Sequence, residues 1–226
     1  MPPTLVLTGD GSHSLRNEAL GVSYHSKHGA IQESRHIFIE AGLQAVLDGD
    51  RPCAILEMGF GTGLNALLVR QFAQAHPQTE WSYTTYERYP IPEAQAAQLN
   101  YPQQLAVPAD WLQQLHACPW GQTQQLNANF TFTKYRDDFA APETSVAVST
   151  YDVIFFDAFA PEDQPELWSV SVLRRCYRAL RPGGCLVTYC AQGQFRRDLR
   201  AAGFRTEKLP GPVGKREITR AWRDVA

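Results

Sequence analysis

No apolar run in this sequence approaches the ~20 residues that a membrane-spanning helix requires, so no membrane partner is expected. The opening "MPPTLVLTGDG" lacks the basic stretch and apolar core of a secretory signal. Cysteine is sparse and odd in number. The five, at 53, 118, 176, 185 and 190, include no C-x-x-C pair, and no histidine stands near them at zinc spacing. A disulfide framework is therefore excluded, no metal is expected, and the expectation is buried reduced thiols in a cytoplasmic protein. The phosphate-binding signature G-x-x-x-x-G-K-[ST] is absent, and so is the dinucleotide fingerprint G-x-G-x-x-G. Charged residues make up 19% with a net charge of −2, a balance unlike that of a dedicated nucleic-acid binder.

What is present suffices for one sizeable core: 226 residues, 44% of them apolar. Residues 1–50 read as an N-terminal extension. In it, "TLVLTGDGSHSL" forms two short strands about an Asp10-Gly11 turn. "SRHIFIEAGLQAVL" (34–47), apolar at 37, 39, 43, 46 and 47, forms an amphipathic helix. Residues 51–226 then alternate strands and helices as one domain. "CAILEM", "WSYTTYE", "FTFTKY", "YDVIFFD" and "CLVTYC" read as strands, followed by two more near 204–209 and 216–222. "NALLVRQFAQAH" is a helix ended by Pro77, "PELWSVSVLRRCYRAL" one closed by Pro182-Gly183-Gly184, and "GQFRRDLRAAG" one ending at Gly203. Residues 92–128 show no clean period beyond short helical pieces. The pattern predicts an α/β fold with a seven-stranded, mostly parallel sheet and helices on both faces. Ligands of such sheets bind beyond the carboxyl ends of the strands, where strand order reverses.

The stretch "AILEMGFGTGLNALLV" (54–69) puts a carboxylate and three glycines in strict alternation between a strand and a helix: Glu57, Gly59, Gly61 and Gly63. Glycine serves a tight turn where φ is positive or a backbone must approach closely. Acids also stand at or just after four strand ends: Glu57, Glu87, Asp138 and Asp157. Any one alone reads as a solvated loop acid or a helix cap; four together point to a ligand. A pyrophosphate favours glycines and helix N–H groups without a nearby carboxylate. Glu57, two residues before the first glycine, instead suits an ammonium or sulfonium. Glu87, 24 residues beyond Gly63, is placed to accept from both hydroxyls of a ribose, and Asp138 from an adenine amino group. S-adenosylmethionine combines those features: adenine, ribose and a cationic tail with no phosphate.

At "FFDAFAP" (155–161) the acid, aromatic and proline resemble the signature of amino-group methyltransferases. Methyl transfer is an in-line displacement that depends on alignment. An amine acceptor must be neutral to attack, whereas an alkylamine with the ~10.4 pKa of lysine is protonated near pH 7. Asp157, with the carbonyls of Ala158 to Ala160, is the candidate to orient the amine and accept its proton, and Phe159 to pack on a base or the methionine tail.

Five stretches resemble a known family: "YHSKHGAIQESRHIFIEAGL" (24–43), "EMGFGTGLN" (57–65), "FFDAFAPEDQPELW" (155–168), "ALRPGGCLVTYCAQGQFRRDLRAAGF" (179–204) and "GPVGKREI" (211–218). They are similar to the tRNA 5-aminomethyl-2-thiouridine methyltransferases, the MnmC amino-terminal domain and its stand-alone form MnmD. The resemblance implies a class I S-adenosylmethionine-dependent methyltransferase (Rossmann-like) fold. It also implies methylation of the wobble-uridine amine, giving 5-methylaminomethyl-2-thiouridine. Cofactor roles carry over to Glu57, the loop Gly59, Phe60, Gly61, Thr62, Gly63 with Asn65, then Glu87, Asp138, Asp157 and Phe159. Asp157 would be catalytic. Substrate-binding candidates are Tyr24, Arg35, Phe159, Pro161, Lys215 and Arg216, with Arg35 offered to the methionine carboxylate or a phosphate. "YRDDF" (135–139) departs from the family's Gly-Asp pair, so Asp137 competes with Asp138. The sequence stops at Ala226 without the flavin-dependent part of the bifunctional members. No flavin and no activity on the carboxymethylaminomethyl nucleoside are expected. The expected partner is the tRNA anticodon region, with no obligate protein partner evident.

Twelve Lys or Arg against three acids make Ser171 to Arg220 a +9 segment, leaving −11 elsewhere. Those cations suit anticodon phosphates, or solvated helix faces. Trp168, Phe159 and Tyr24 are candidates to stack on a splayed base, with Trp168 also readable as core. Other readings remain open: methylation of another amine in a small molecule or protein, aminopropyl transfer from a decarboxylated cofactor, or a silent RNA-binding subunit.

Overall fold

The alternating segments fold around a twisted sheet of eight strands in a computed structural model that describes residues 3–225. The chain begins with β1 (Thr4–Leu7), β2 (His13–Asn17) and β3 (Val22–Ser23), which form a separate antiparallel sheet. Its turn is held by Asp10, whose carboxylate accepts from Thr8 Oγ1 at 2.9 Å, from the Ser12 N–H at 3.0 Å and from the Gln32 N–H at 2.9 Å. That last bond ties the small sheet to α1 (Ala30–Ser34). From there the chain runs into a π-helical turn (Arg35–Glu40) and a 3₁₀ turn (Leu43–Val46). The single amphipathic helix expected over 34–47 is thus broken at Ala41 and Gly42, and begins earlier.

The main sheet opens with β4 (Cys53–Met58), α2 (Leu64–Ala75) and β5 (Trp81–Tyr86). Three short helices follow: α3 (Glu93–Ala96), α4 (Tyr101–Leu105) and α5 (Trp111–Ala117). Then come β6 (Gln124–Asn127), β7 (Phe130–Tyr135), β8 (Tyr151–Phe156), a 3₁₀ turn (Pro165–Trp168) and α6 (Val170–Ala179). The chain closes with β9 (Leu180–Thr188), α7 (Gly193–Ala201), β10 (Arg205–Pro210) and β11 (Glu217–Trp222).

Sheet order is β10-β11-β9-β8-β4-β5-β7-β6. The five central strands are parallel, and β6, β10 and β11 are antiparallel at the edges. The strand count exceeds the expected seven because of β6. This polar "QQLN" segment lies half-exposed at the edge and carries no apolar alternation to announce it. The helix expected over 165–180 is split at Ser169, whose extended backbone and side chain cap α6. Strand β9 starts at Leu180 rather than Cys185, with its register against β8 shifting between Tyr151 and Val153.

Both faces are covered, so alternate residues of one strand enter different cores. On β4, Cys53 and Ile55 join the cluster that includes Leu67 of α2 and Phe130. Ala54, Leu56 and Met58 join the one that includes Leu173 of α6 and Leu199 of α7. This two-sided burial makes the strands read as near-continuous apolar runs. The chain moves outward from β4 through β5 to β7 and then crosses back to β8, so order reverses between β4 and β8. Their carboxyl ends meet directly: the Asp157 N–H donates to the Met58 carbonyl at 3.1 Å.

Candidate active site

A cavity of about 650 Å³ opens beyond the carboxyl ends of β4 and β8. Its floor is the glycine loop. At Gly59 (φ +91°) a Cβ would stand 2.7 Å from the Asp157 carbonyl oxygen, so the close approach of the two strand ends demands glycine. At Gly61 (φ +48°) a Cβ would press on the Tyr24 ring at 3.2 Å. Glu57 ends β4 and is buried beneath this loop rather than facing the cavity. Asn65, in the first turn of α2, bridges two carboxylates: its Nδ2 donates to Glu57 Oε1 at 3.1 Å and to Asp157 Oδ2 at 2.8 Å. Burial pushes the Glu57 carboxyl up to about 8, with the Asp157 charge adding to the rise. Burial likewise pushes Asp157 up to about 7; Asn65 opposes the shift, and Glu33 adds to it. Glu57 Oε2 and Asn65 Oδ1 are buried without a hydrogen-bond partner.

To one side of the loop stands Glu87, just past β5. Its carboxylate accepts from the Gly61 N–H at 2.9 Å and from the Tyr89 N–H at 2.7 Å. Burial raises its pKa, and those backbone donors counter it. Farther along, Asp137 and Asp138 both line the cavity. Asp138 pairs with Arg88 at 2.6 Å and accepts from the Ala140 N–H, whereas Asp137 accepts from Thr144 Oγ1 at 3.1 Å.

On the other side, the Asp157–Pro161 loop is tied down at every carbonyl proposed for the amine. Tyr189 OH donates to the Ala158 carbonyl at 2.8 Å, Trp168 Nε1 to that of Phe159 at 2.8 Å, and the Asp163 N–H to that of Ala160 at 2.8 Å. Those carbonyls serve the loop, and the carboxylate of Asp157 is left as the acceptor. Trp168 is core, edge-on to Phe156 and Phe195. Phe159 does face the cavity, with Tyr24 edge-on to it at 4.9 Å.

Of the remaining sequence candidates, Phe60, Thr62 and Lys215 line the cavity, whereas Gly63, Pro161, Arg35 and Arg216 do not. Gly63 instead caps α2. Arg35 projects from the π-helical turn into a separate depression with Asp10, His36 and Pro212. Neither is it the partner of Glu33: Glu33 pairs with Lys215 at 2.8 Å and accepts from the Ser26 N–H at 2.7 Å. Sequence reading missed Tyr189, because a tyrosine one residue past a strand carries no signal.

Six of the twelve basic residues of the +9 segment, Lys215 among them, form ion pairs within the chain. Arg181 pairs with Asp152, Arg196 and Lys208 with Glu217, Arg220 with Glu207, and Arg205 with Glu207 and Asp224. Among the described residues, no group of three or more His, Cys, Asp or Glu is arranged to hold a metal. All five cysteines are free and buried, and no helix of the described residues is long and apolar enough to cross a membrane.

Residues 106–224, more than half the chain, match a protein family described as S-adenosyl-L-methionine-dependent methyltransferase. The chain belongs to that family. The methyltransferase is 32% identical, over 99% of its length, to the tRNA 5-methylaminomethyl-2-thiouridine biosynthesis bifunctional protein MnmC of Aromatoleum aromaticum, covering 36% of that protein. It is 30% identical to the MnmC of Pseudomonas fluorescens over 96% of the chain and 34% of the relative. The chain thus spans about a third of the length of these relatives. MnmC2 from Aquifex aeolicus superposes with a TM-score of 0.79 at 24% identity, covering 99% of this chain and 71% of that one. Spermidine synthase from Thermotoga maritima gives 0.55 at 15% identity, covering 95% and 70%. Both show the fold. The cavity of this methyltransferase suits the cofactor that its family name carries. Its volume lies within the roughly 300–1,000 Å³ of small-molecule sites. The closely approached glycine loop and Asn65, whose Oδ1 is buried without a hydrogen-bond partner, line its floor.

Proposed function

We propose that the methyltransferase acts on the primary amine of 5-aminomethyl-2-thiouridine at the wobble position of tRNA, giving 5-methylaminomethyl-2-thiouridine. The observation that carries the reading is Asp157. It is a buried carboxylate at the strand-order switch, anchored by Asn65, with its pKa raised to about 7. The relatives that match nearly the whole chain are named for 5-methylaminomethyl-2-thiouridine biosynthesis, which supports the same acceptor.

Bound S-adenosylmethionine supplies a methyl group on a positively charged sulfur. Glu87 would hold the ribose hydroxyls, Asp138 with Arg88 beside it would meet the adenine, and Gly59 to Gly63 with Asn65 would carry the methionine part. Asp157 would orient the acceptor amine and take the proton that it must lose to free its lone pair. That lone pair would then accept the methyl carbon as its bond to sulfur breaks, the sulfur leaving as a neutral thioether. A carboxyl near 7 is matched to that task at neutral pH, since it is ionised enough to accept and basic enough to retain the proton. Tyr24 and Phe159 form an aromatic wall for the uracil. In this reading, residues 1–50 are an extension laid over the methyltransferase domain of residues 51–226. Lys215 turns inward, and Arg216 is the cation of that loop left for tRNA. The enzyme would work in the cytoplasm, where tRNA is modified.

Methyl transfer from labelled S-adenosylmethionine to two tRNA pools tests this. One pool carries aminomethyl and the other carboxymethylaminomethyl at the wobble uridine. Label is expected in the first pool as the methylaminomethyl nucleoside. Cofactor binding with label in neither pool would move the acceptor to another amine.

A further inference from the structure

The cavity has an excess of acid. Asp157, Glu33, Asp163 and Glu166 line one end, and Glu87, Asp137 and Asp138 the other. S-adenosylmethionine nevertheless carries an α-carboxylate, which needs a cation. Among the described residues two permanent cations line the cavity, Arg88 and Lys215. Arg88 is paired with Asp138 at the Glu87 end. His25 also lines the wall, but burial pushes its pKa down to about 4, so it is neutral at pH 7.

Lys215 sits at the other end, beside Asp157's loop. Its Nζ lies 2.8 Å from Glu33 Oε1 and 4.2 Å from the centre of the Tyr189 ring. That ring is fixed in turn by its hydroxyl on the Ala158 carbonyl. Glu33 is fixed through the Ser26 N–H. One carboxylate and one ammonium, each oriented by its own anchor, therefore stand side by side on the wall next to the glycine loop. An α-amino-acid head presents the complementary pair, one ammonium and one carboxylate. We propose that Glu33 and Lys215 together read the amino-acid head of S-adenosylmethionine, Lys215 taking the α-carboxylate and Glu33 the α-ammonium. The head enters by exchanging partners with an existing ion pair, so no charge is left buried alone. Arg35, the sequence candidate for this carboxylate, is on a different surface. The assignment rests on the cofactor alone and stands or falls independently of the tRNA acceptor.

Calorimetric titration of the full chain with three probes tests it: S-adenosylmethionine, its decarboxylated form, and 5′-methylthioadenosine, which lacks the whole head. Lys215→Met should weaken S-adenosylmethionine about 10- to 100-fold, the scale of a hydrogen bond to a charged group. It should leave the other two probes within about twofold. Lys215→Arg should recover most of the loss. Glu33→Gln should weaken both probes that carry the ammonium and spare methylthioadenosine. Unchanged S-adenosylmethionine affinity in Lys215→Met would overturn the assignment. So would an equal loss with all three probes, which would mean that the substitution damages the site as a whole.

Discussion

At the Glu87 end of the cavity, most of the lining comes from one unbroken stretch, strand to loop to helix to strand, from Met58 to Tyr89, joined by Asp137 and Asp138. At the Lys215 end it comes from four segments: Tyr24 to Glu33, Asp157 to Gln164, Tyr189 and Lys215. The first end is set by local geometry. Glycine φ angles and backbone N–H groups aim at Glu87, and these would form wherever that strand-loop-helix unit folds. The second end depends on tertiary ties. Asp10 holds α1 to the small sheet, Tyr189 and Trp168 pin the Asp157 loop, and the Lys215–Glu33 pair joins the last loop to the first helix. One end is thus built largely within a single strand-loop-helix-strand unit, whereas the other is assembled from segments distant in the chain.

Asp157 is where the two ends touch, through Asn65, so its replacement breaks the comparison hardest. Asp157→Asn should lower kcat by about 10²–10⁴-fold while methylthioadenosine still binds. In the native enzyme kcat should fall as pH drops through about 7, as Asp157 takes up its proton, and that limb should vanish in the variant. Single-turnover rates against pH would reveal it.

Glu57 probes the end built within one unit. Folding lifts its carboxyl from the ordinary 4.5 to about 8. The folded chain thus holds a proton that the unfolded chain has released. Unfolding free energy should therefore decline as pH rises from about 4.5 to about 8, by on the order of 1 kcal/mol per pH unit. Glu57→Gln keeps the acceptor for Asn65 and removes the titration. Denaturant midpoints across pH 5–8 should decline less steeply than in the native protein. An unchanged slope would mean that Glu57 is not buried as a protonated acid. The smallest effect is expected at Arg35. Arg35→Ala should leave cofactor affinity within about twofold by titration, because its side chain faces another surface.

Much of the fold was legible. The central strands and α2 fell where apolar runs and glycine boundaries put them, because burial on both faces leaves a strong local signal. Edge strand β6 was not, being polar and half-exposed. The helix at 34–47 was misread because a π-helical turn keeps enough apolar spacing to pass for one regular helix. In the cavity, Glu87, Asp138 and Asp157 were readable as acids at strand ends. Lys215 was counted among the substrate-binding residues, and Arg35, from the early segment that resembles the family, was offered to the carboxylate.

The sequence by itself determined the order of strands and helices, the glycine loop and the acids at the strand ends. Those are local properties: φ angles, two-sided burial, and the residue that follows each strand. Only the tertiary structure decided which cation enters the cavity, which aromatics line it and which are core, and how far the basic segment is spent on internal pairs. Those depend on how separate segments pack together, most clearly for Glu33 and Lys215, whose meeting is fixed by packing around the whole sheet rather than by any pattern along the chain.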